Sequence, residues 1–298
     1  MSWLDRQSFL GPNSANTLRA MTIGVVGGGG GGSPILQQLA HAGVGTFLPV
    51  DHDRATRTNR NRLIGMEPLD ALLGRFKARM AKRLIRRINP KAHVRPIVGR
   101  WEDNTAALLC CDLIVGAIDT FKARAELEDF CRAHLIPYCD LGMDVHELPD
   151  GGFFVGGQVA FSLPGDLCMR CMGIITDTRL SQEASRYGAA GPAPQVVWTN
   201  GALASAAVNL IISLFTPWHS AAPRSTCIEL DANQGTMAES NRVTSFRGTQ
   251  CRHHPLIEAG SPMFDIRGGS DPSHGSDYWD KAIGEIAREL SSAIRGHS

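Results

Sequence analysis

The chain carries almost no net charge. Lys and Arg number 30 and Asp and Glu 29 among 298 residues, a formal charge of +1. That balance leaves no electrostatic footprint for nucleic acid or an anionic membrane, and neither partner is expected. Long apolar runs are also missing. The longest, Leu203 to Phe215, is broken by Ser205, Asn209 and Ser213 and is too short to cross a bilayer. The opening MSWLDRQSFLGP has an acid and a base early, with no apolar core or cleavage site. No signal peptide is expected, and the expected compartment is the cytoplasm. In that reducing setting the eight cysteines more often hold metal than form disulfides. No internal repeat is found. The length suits one large α/β domain, or one domain with appendages.

The first half alternates strand and helix signals. Thr22–Val26, Thr46–Val50, His93–Val98, Leu113–Ala117 and Ile136–Cys139 read as strands. Ser33–Ala42, Leu69–Ile88, Trp101–Leu109 and Phe121–His134 read as helices, the second long, amphipathic and basic on its outer face. Such alternation implies crossover connections and a parallel sheet, a doubly wound, Rossmann-like α/β half. After about residue 140 the pattern changes. Gly151–Ser162 alternates as an antiparallel strand, Val196–Phe215 is an apolar helix rich in small residues, and Thr226–Leu230 and Asn241–Phe246 look like strands. The stretch Gly260–Ser276 is rich in Gly, Ser, Pro and Asp and reads as a loose tail, and Tyr278–Ile294 reads as a last amphipathic helix.

Residues 27 to 33, GGGGGGS, lie between the first strand and its helix. Flexible linkers seldom sit between two packed elements. Glycine lets a backbone approach phosphate, and N–H groups at a helix start favour an anion. The bland alternative is a tight structural turn. The second strand ends in Asp51-His52-Asp53, where an acid suits ribose hydroxyls. Asn59, Arg62 and Lys77 follow. Singly, Arg62 and Lys77 are ordinary surface charges. As an ordered set they suit a nucleoside triphosphate, whose phosphates need several donors and whose leaving pyrophosphate needs cations.

The stretches VVGGGGGGS, LAHAGVGTFLPVDHDRATRTNRNR, GRFKARMAKRLIRRINP and DLIVGAIDTFKAR together resemble the ThiF/HesA/MoeB family, bacterial relatives of ubiquitin-activating enzymes. The resemblance covers roughly residues 3 to 256. It implies Mg-ATP-dependent adenylation of the C-terminal glycine of a small β-grasp, ubiquitin-like protein, with release of pyrophosphate, by a homodimer. Gly27, Gly29, Gly30, Gly32 and Ser33 take the ATP-cradling positions, leaving the other two glycines as fillers. Asp51 takes the ribose position with Asp53 beside it, and Asn59, Arg62 and Lys77 take the phosphate-binding positions. Asp119, followed by Arg124, takes the place of the magnesium-holding aspartate, with Thr120 where the family has Asn. Arg6 resembles an arginine that reaches into the partner subunit's ATP site. The helix Val196–Phe215 corresponds to one near the subunit contact. The implied organisation is an adenylation domain over 1–256 and a tail over 257–298. The nucleotide half covers about 20–140, and the zinc- and partner-binding half about 141–256. The chemistry needs no protein nucleophile, because positioning, cations and Mg²⁺ suffice to form an acyl adenylate.

Cys168-Met169-Arg170-Cys171 is a C-x-x-C, and the family often has a second one near its end. Here Cys251-Arg252-His253-His254 stands in its place, so Cys168, Cys171, Cys251 and His254 would form a closed, structural Cys₃His zinc site, with His253 the rival. Chance cysteines beside a surface His pair, or a redox pair, are the alternatives. Cys110, Cys111, Cys131, Cys139 and Cys227 read as buried packing residues. Relatives often carry a cysteine on the crossover loop, but Ser181 to Pro192 has none. The enzyme is expected to stop at the adenylate and pass it to a sulfur donor or a conjugating enzyme. An oxyester on Ser181, Ser185 or Thr176, or a distant cysteine swinging in, are the other routes. Competing functions are an NAD-dependent oxidoreductase, which the Asn59, Arg62, Lys77 and Asp119 set disfavours, and an idle scaffold of the same fold. A tRNA-base dehydratase of the same fold typically lacks the zinc cysteines.

Overall fold

The computed structural model describes residues 3–185 and 194–254. A short 3₁₀ segment, Asp5–Leu10, leads into α1 (Ser14–Ala20). Then follow β1 (Thr22–Val26), α2 (Gly32–Ala42), β2 (Thr46–Val50), α3 (Pro68–Leu72), α4 (Lys77–Ile88) and β3 (His93–Val94). Next come α5 (Thr105–Leu108), β4 (Leu113–Gly116), α6 (Phe121–Ala133), β5 (Tyr138–Glu147) and β6 (Phe153–Ser162). The described chain ends through α7 (Asp177–Ser185), α8 (Val197–Phe215), β7 (Thr226–Asp231), β8 (Thr236–Glu239) and α9 (Asn241–Phe246).

All eight strands join one sheet in the order β3-β2-β1-β4-β5-β6-β7-β8. The first five run parallel and the pairs from β5 to β8 are antiparallel. This is the mixed α/β architecture expected, a Rossmann-like half extended by antiparallel strands. Side chains alternate across the sheet. Ile23, Val25, Phe47, Leu113 and Val115 pack with α2 and α8 on one face, while Val26, Leu48, Ile114, Leu127 and Phe130 form the core of the other. Both faces are covered, which is why the central strands read as unbroken apolar runs. The strand order reverses between β1 and β4. Such a switch point opens a crevice beyond the carboxyl ends of the strands.

Several elements differ from the sequence expectation. The helix expected over Leu69–Ile88 is two helices, because Gly74 takes φ +52° and Arg75 N–H donates back to Asp70 O at 3.0 Å. Only His93–Val94 of the third strand pairs regularly; Ile97 adds one isolated bridge to Val50, and Pro96 between them has no N–H to give. Trp101–Leu109 is a 3₁₀ turn followed by a single helical turn. β5 starts at Tyr138 and runs eight residues beyond the expected end at Cys139, because β6 pairs with all ten of its residues. Asn241–Phe246 is a helix, not a strand. Six residues are too few for a period to show, and Val243 is its one buried side chain. β8 escaped notice because TMAE alternates weakly; the turn at Gly235, φ +67°, folds it back on β7. α8 has 19 residues, longer than the apolar run noted above, and its length and mean hydropathy of 1.4 would by themselves reach across a bilayer. Here Leu203, Ala204, Ala207 and Ile211 are buried against α2, β5 and β6, whereas Trp198 is exposed. The tail Gly260–Ser276 and the helix Tyr278–Ile294 lie outside the described residues.

Candidate functional site

The glycine run turns where β1 ends. Gly27 N–H donates to Val50 O at 2.9 Å and the residue takes φ +94°. A Cβ there would stand 2.3 Å from Ala117 O, and one at Gly32 would stand 1.9 Å from Gly27 O. These two glycines serve the fold, since they let β1, β4 and α2 meet. A Cβ at Gly29 would meet nothing within 4 Å, so this backbone faces open space. The two supposed fillers differ. Gly31 is tight, 2.6 Å from Leu141 Cδ2, whereas Gly28 donates its N–H to Asp51 Oδ2 at 2.7 Å.

Asp51 ends β2 and also accepts from Asp53 N–H at 2.7 Å. Burial pushes its pKa above the usual carboxylate value, against the charge of Lys77 and the two backbone donors. Lys77 is the first residue of α4, and its Nζ lies 2.7 Å from Asp53 Oδ2. Burial alone would raise Asp53, but the Lys77 bond and charge outweigh it and its pKa falls. Asn59 is buried, and its Oδ1 accepts from Thr56 N–H at 2.9 Å, capping the turn that carries Arg62. Arg62 rests on Thr58 O at 2.7 Å and Asn61 Oδ1 at 3.0 Å. Asp119 follows β4, exposed, and its Oδ1 accepts from Gln195 Nε2 at 3.2 Å.

A cavity of about 760 Å³ brings together Gly27, Gly29, Gly30, Asp51, Asp53, Asn59, Arg62, Lys77 and Asp119 at the switch point. Gly32, Ser33 and Arg6 do not line it. The Ser33 hydroxyl is buried and accepts from Ile64 N–H at 2.9 Å, so it serves the helix start. Arg6 is exposed on the segment Asp5–Leu10. Sequence reasoning missed Gln158, Gln195 and Asn200, which also line the cavity. They come from β6, from just before α8 and from its first turn, and no local signal marks a contact 76 residues apart such as Gln195 with Asp119. α7 borders the cavity through Arg179 and Gln182, and its Glu183 carboxylate accepts from Phe121 N–H at 2.8 Å and Lys122 N–H at 2.9 Å at the start of α6. Thr176 Oγ1 accepts from Arg179 N–H at 3.2 Å, and Ser185 Oγ donates to Gln182 O at 2.9 Å, so both hydroxyls have local partners.

The cysteine cluster needs one correction. Cys168, Cys171 and Cys251 are joined by His253, not His254. Sulfur–sulfur distances of 3.7 Å link Cys168 to Cys171 and Cys171 to Cys251. His253 Nδ1 lies 3.5 and 3.4 Å from Cys168 and Cys171. Tetrahedral zinc with ordinary bond lengths has S···S edges of about 3.8 Å and S···N edges of about 3.6 Å. The donors therefore already stand at the spacing of a closed zinc site and could hold that ion. Neighbouring thiols, Cys168 first, hold the Cys251 thiol below its ordinary value against burial, and a thiolate is the metal-binding form. His254 turns instead to Asp129, at 3.3 Å. Burial, then the charge of Arg132, lowers it to about 4, so its imidazole is neutral at pH 7. Cys110 is exposed rather than buried; Cys111, Cys131, Cys139 and Cys227 are buried as expected.

These features agree with comparison to known proteins. The chain is 32% identical over 166 residues to the SAMP-activating enzyme E1 of Haloferax volcanii, covering 55% of this chain and 57% of that one. It is 34% identical over 122 residues to the sulfur carrier protein adenylyltransferase of Thermus thermophilus, covering 40% and 44%. The chain thus spans about half the length of the curated relatives it matches. Its fold superposes on Escherichia coli MccB solved with ATP, with a TM-score of 0.64 at 18% identity over 81% of this chain and 72% of that one. The ThiF family pattern matches residues 4–253, and the chain belongs to the ThiF family.

Proposed function

We propose that this chain adenylates the C-terminal carboxylate of a small ubiquitin-like protein at the expense of ATP. The observation that carries the reading is one cavity holding the glycine turn, Asp51, Asn59, Arg62, Lys77 and Asp119 at the sheet's switch point. Gly29 offers open backbone to the phosphates, Asp51 and Asp53 suit the ribose, and Arg62 and Lys77 supply cations to the phosphate chain. Lys77 leaves Asp53 to do so. The acyl oxygen attacks the α-phosphorus, the α–β bridge bond breaks, and pyrophosphate leaves with the electron pair. Asp119 would hold Mg²⁺, which supplies charge neutralisation on the phosphates when bound. Cys168, Cys171, Cys251 and His253 would hold a structural Zn²⁺. The working unit is a homodimer in the cytoplasm, each protomer lending Arg6 to its partner's site. The adenylate passes to a sulfur donor or a conjugating enzyme. The names of the SAMP-activating enzyme E1 and of the sulfur carrier protein adenylyltransferase support the reaction type.

Exchange of labelled pyrophosphate into ATP tests the reaction. Exchange should require a ubiquitin-like protein with a free C-terminal glycine and should vanish in Asp119→Ala. Folded protein that binds ATP but exchanges nothing with any such partner would refute the reading.

A further inference from the structure

One wall of the cavity is formed by residues outside the set proposed to hold the nucleotide. Gly142 on β5 pairs directly with Gln158 on β6, and both line the cavity together with Arg124. A Cβ at Gly142 would lie 2.8 Å from Gln158 Nε2, 2.9 Å from Arg124 Nη2 and 3.1 Å from Arg124 Nη1. Two side-chain donors therefore converge on a stretch of bare backbone.

Arg124 is held with unusual firmness for a group on a cavity wall. The residue is only 4% exposed. Its Nε and Nη2 are taken by the Asp140 carboxylate, which is fully buried and also accepts from the Tyr138 hydroxyl at 2.9 Å. Among the described residues Arg124 Nη1 has no hydrogen-bond partner, and neither has the Gln158 side-chain amide. Arg124 Nη1 and the amide of half-buried Gln158 both face the cavity without a protein partner, so a rigid guanidinium edge and an amide are free to donate to a ligand there.

The charge balance says which acceptor. Asp140 cancels the charge of Arg124, and Gln158 is neutral, so the wall offers donors without net charge. That suits a carbonyl oxygen better than an anion. A reacting carboxylate gripped by a guanidinium would also lose the lone pairs it needs for attack, whereas a carbonyl one residue back can be gripped and still aim it. Asp144 and His146 follow Gly142 at two-residue steps on the same face of β5 and line the same cavity, which gives an extended tail a continuous wall.

We propose that Arg124 Nη1 and Gln158 Nε2 bind the last peptide carbonyl of the acyl substrate's extended C-terminal tail, which lies against the bare backbone of Gly142. The inference rests on the adenylation reading and adds the residues that position the acyl end.

Gln158→Leu and Gly142→Ala test it. Leucine keeps the size of glutamine without its donor. Gly142 has no positive φ, but its new methyl group would crowd the firmly held Arg124 guanidinium as well as Gln158. Each variant is therefore first shown to melt as the parent does, and Gln158→Leu decides the question if Gly142→Ala does not. The probe is a ubiquitin-like protein ending in Gly-Gly, titrated onto the full chain with ATP analogue present and used in pyrophosphate exchange. Each variant should weaken binding and raise the acyl protein's KM by about tenfold or more, with the KM for ATP within about twofold. Unchanged acyl binding and KM in both variants would overturn the inference and leave the adenylation reading standing. If the probe binds but no exchange occurs, the adenylation reading falls, and the binding comparison still decides the tail site. A probe that neither binds nor exchanges overturns both.

Discussion

Six consecutive glycines look alike in sequence, yet each meets a different constraint. Gly27 has a φ that strains any other residue and a Cβ there would stand 2.3 Å from a carbonyl oxygen, while a Cβ at Gly29 would meet nothing within 4 Å. Gly27→Ala should therefore cost stability, roughly 2–4 kcal/mol, seen as a lower melting temperature. Gly29→Ala should melt as the parent does but lose ATP affinity by about tenfold, because its methyl group enters the space meant for phosphate. If instead Gly29→Ala bound ATP normally by calorimetry, the phosphates would not lie on this backbone. The glycine pattern was legible as a close-packed turn between β1 and α2 on the cavity wall. Which glycines serve the ligand and which serve the fold was not, because that depends on Ala117, Leu141 and Asp51, residues far along the chain.

At the scale of elements, the break between α3 and α4 is built around Asp70. Its fully buried carboxylate accepts from Glu67 N–H at 2.7 Å, Arg75 at 3.1 Å and Arg83 at 2.8 Å. The Arg83 bond, against burial, lowers its pKa to about 2. A depressed carboxylate pKa contributes stability above the ordinary value of 3.8 and loses it as pH falls toward 2. The shift is worth about 2 kcal/mol. Asp70→Asn should be less stable by about that amount at pH 7, with the gap closing between about pH 4 and pH 2 in an acid-unfolding series. A gap that stays constant over that range would show that the loss is packing, not charge. The second linchpin is the thiol cluster, which ties the loop after β6 to the segment after α9. His253→Ala should lose bound zinc by elemental analysis and melt lower, and a chelator should do the same to the parent. His254→Ala should keep its zinc. The reverse result would restore His254 as the ligand. Sequence spacing favoured His254 because it repeats C-x-x-C, but the backbone past Cys251 turns so that the nearer imidazole meets the sulfurs.

The molecule as a whole is nearly neutral, but the neutrality is a sum of unlike parts. Residues 54–100 hold 14 Lys and Arg against two acids, so the remainder of the chain is acidic. Net charge therefore described the average and not the edge of the sheet where α4 packs on β2 and β3. The question of subunits belongs to this scale too. Arg6 lies outside its own chain's cavity. If it acts across a dimer, Arg6→Ala and Asp119→Ala proteins should each be inactive in exchange, and mixing them after brief unfolding and refolding should restore part of the activity. Mixed dimers contain one site with both residues. No recovery, with mixed dimers demonstrated, would place Arg6 outside the reaction.

The doubly wound half was readable from the chain because β1, β2 and β4 are buried on both faces, and short-range apolar periodicity records that burial directly. The ordered set Asp51, Asn59, Arg62, Lys77 and Asp119 was readable through the family resemblance, and one cavity brings the five together, with Asp51 and Asp119 just past strand ends. Tertiary structure alone decided the rest. The choice of His253 and the wall of Arg124, Gln158 and Gly142 depend on contacts between segments remote in sequence, while β8 and α9 are too short for a period to show. Local pattern carries no information about such contacts, because their free energy is gained only once the distant segments have come together.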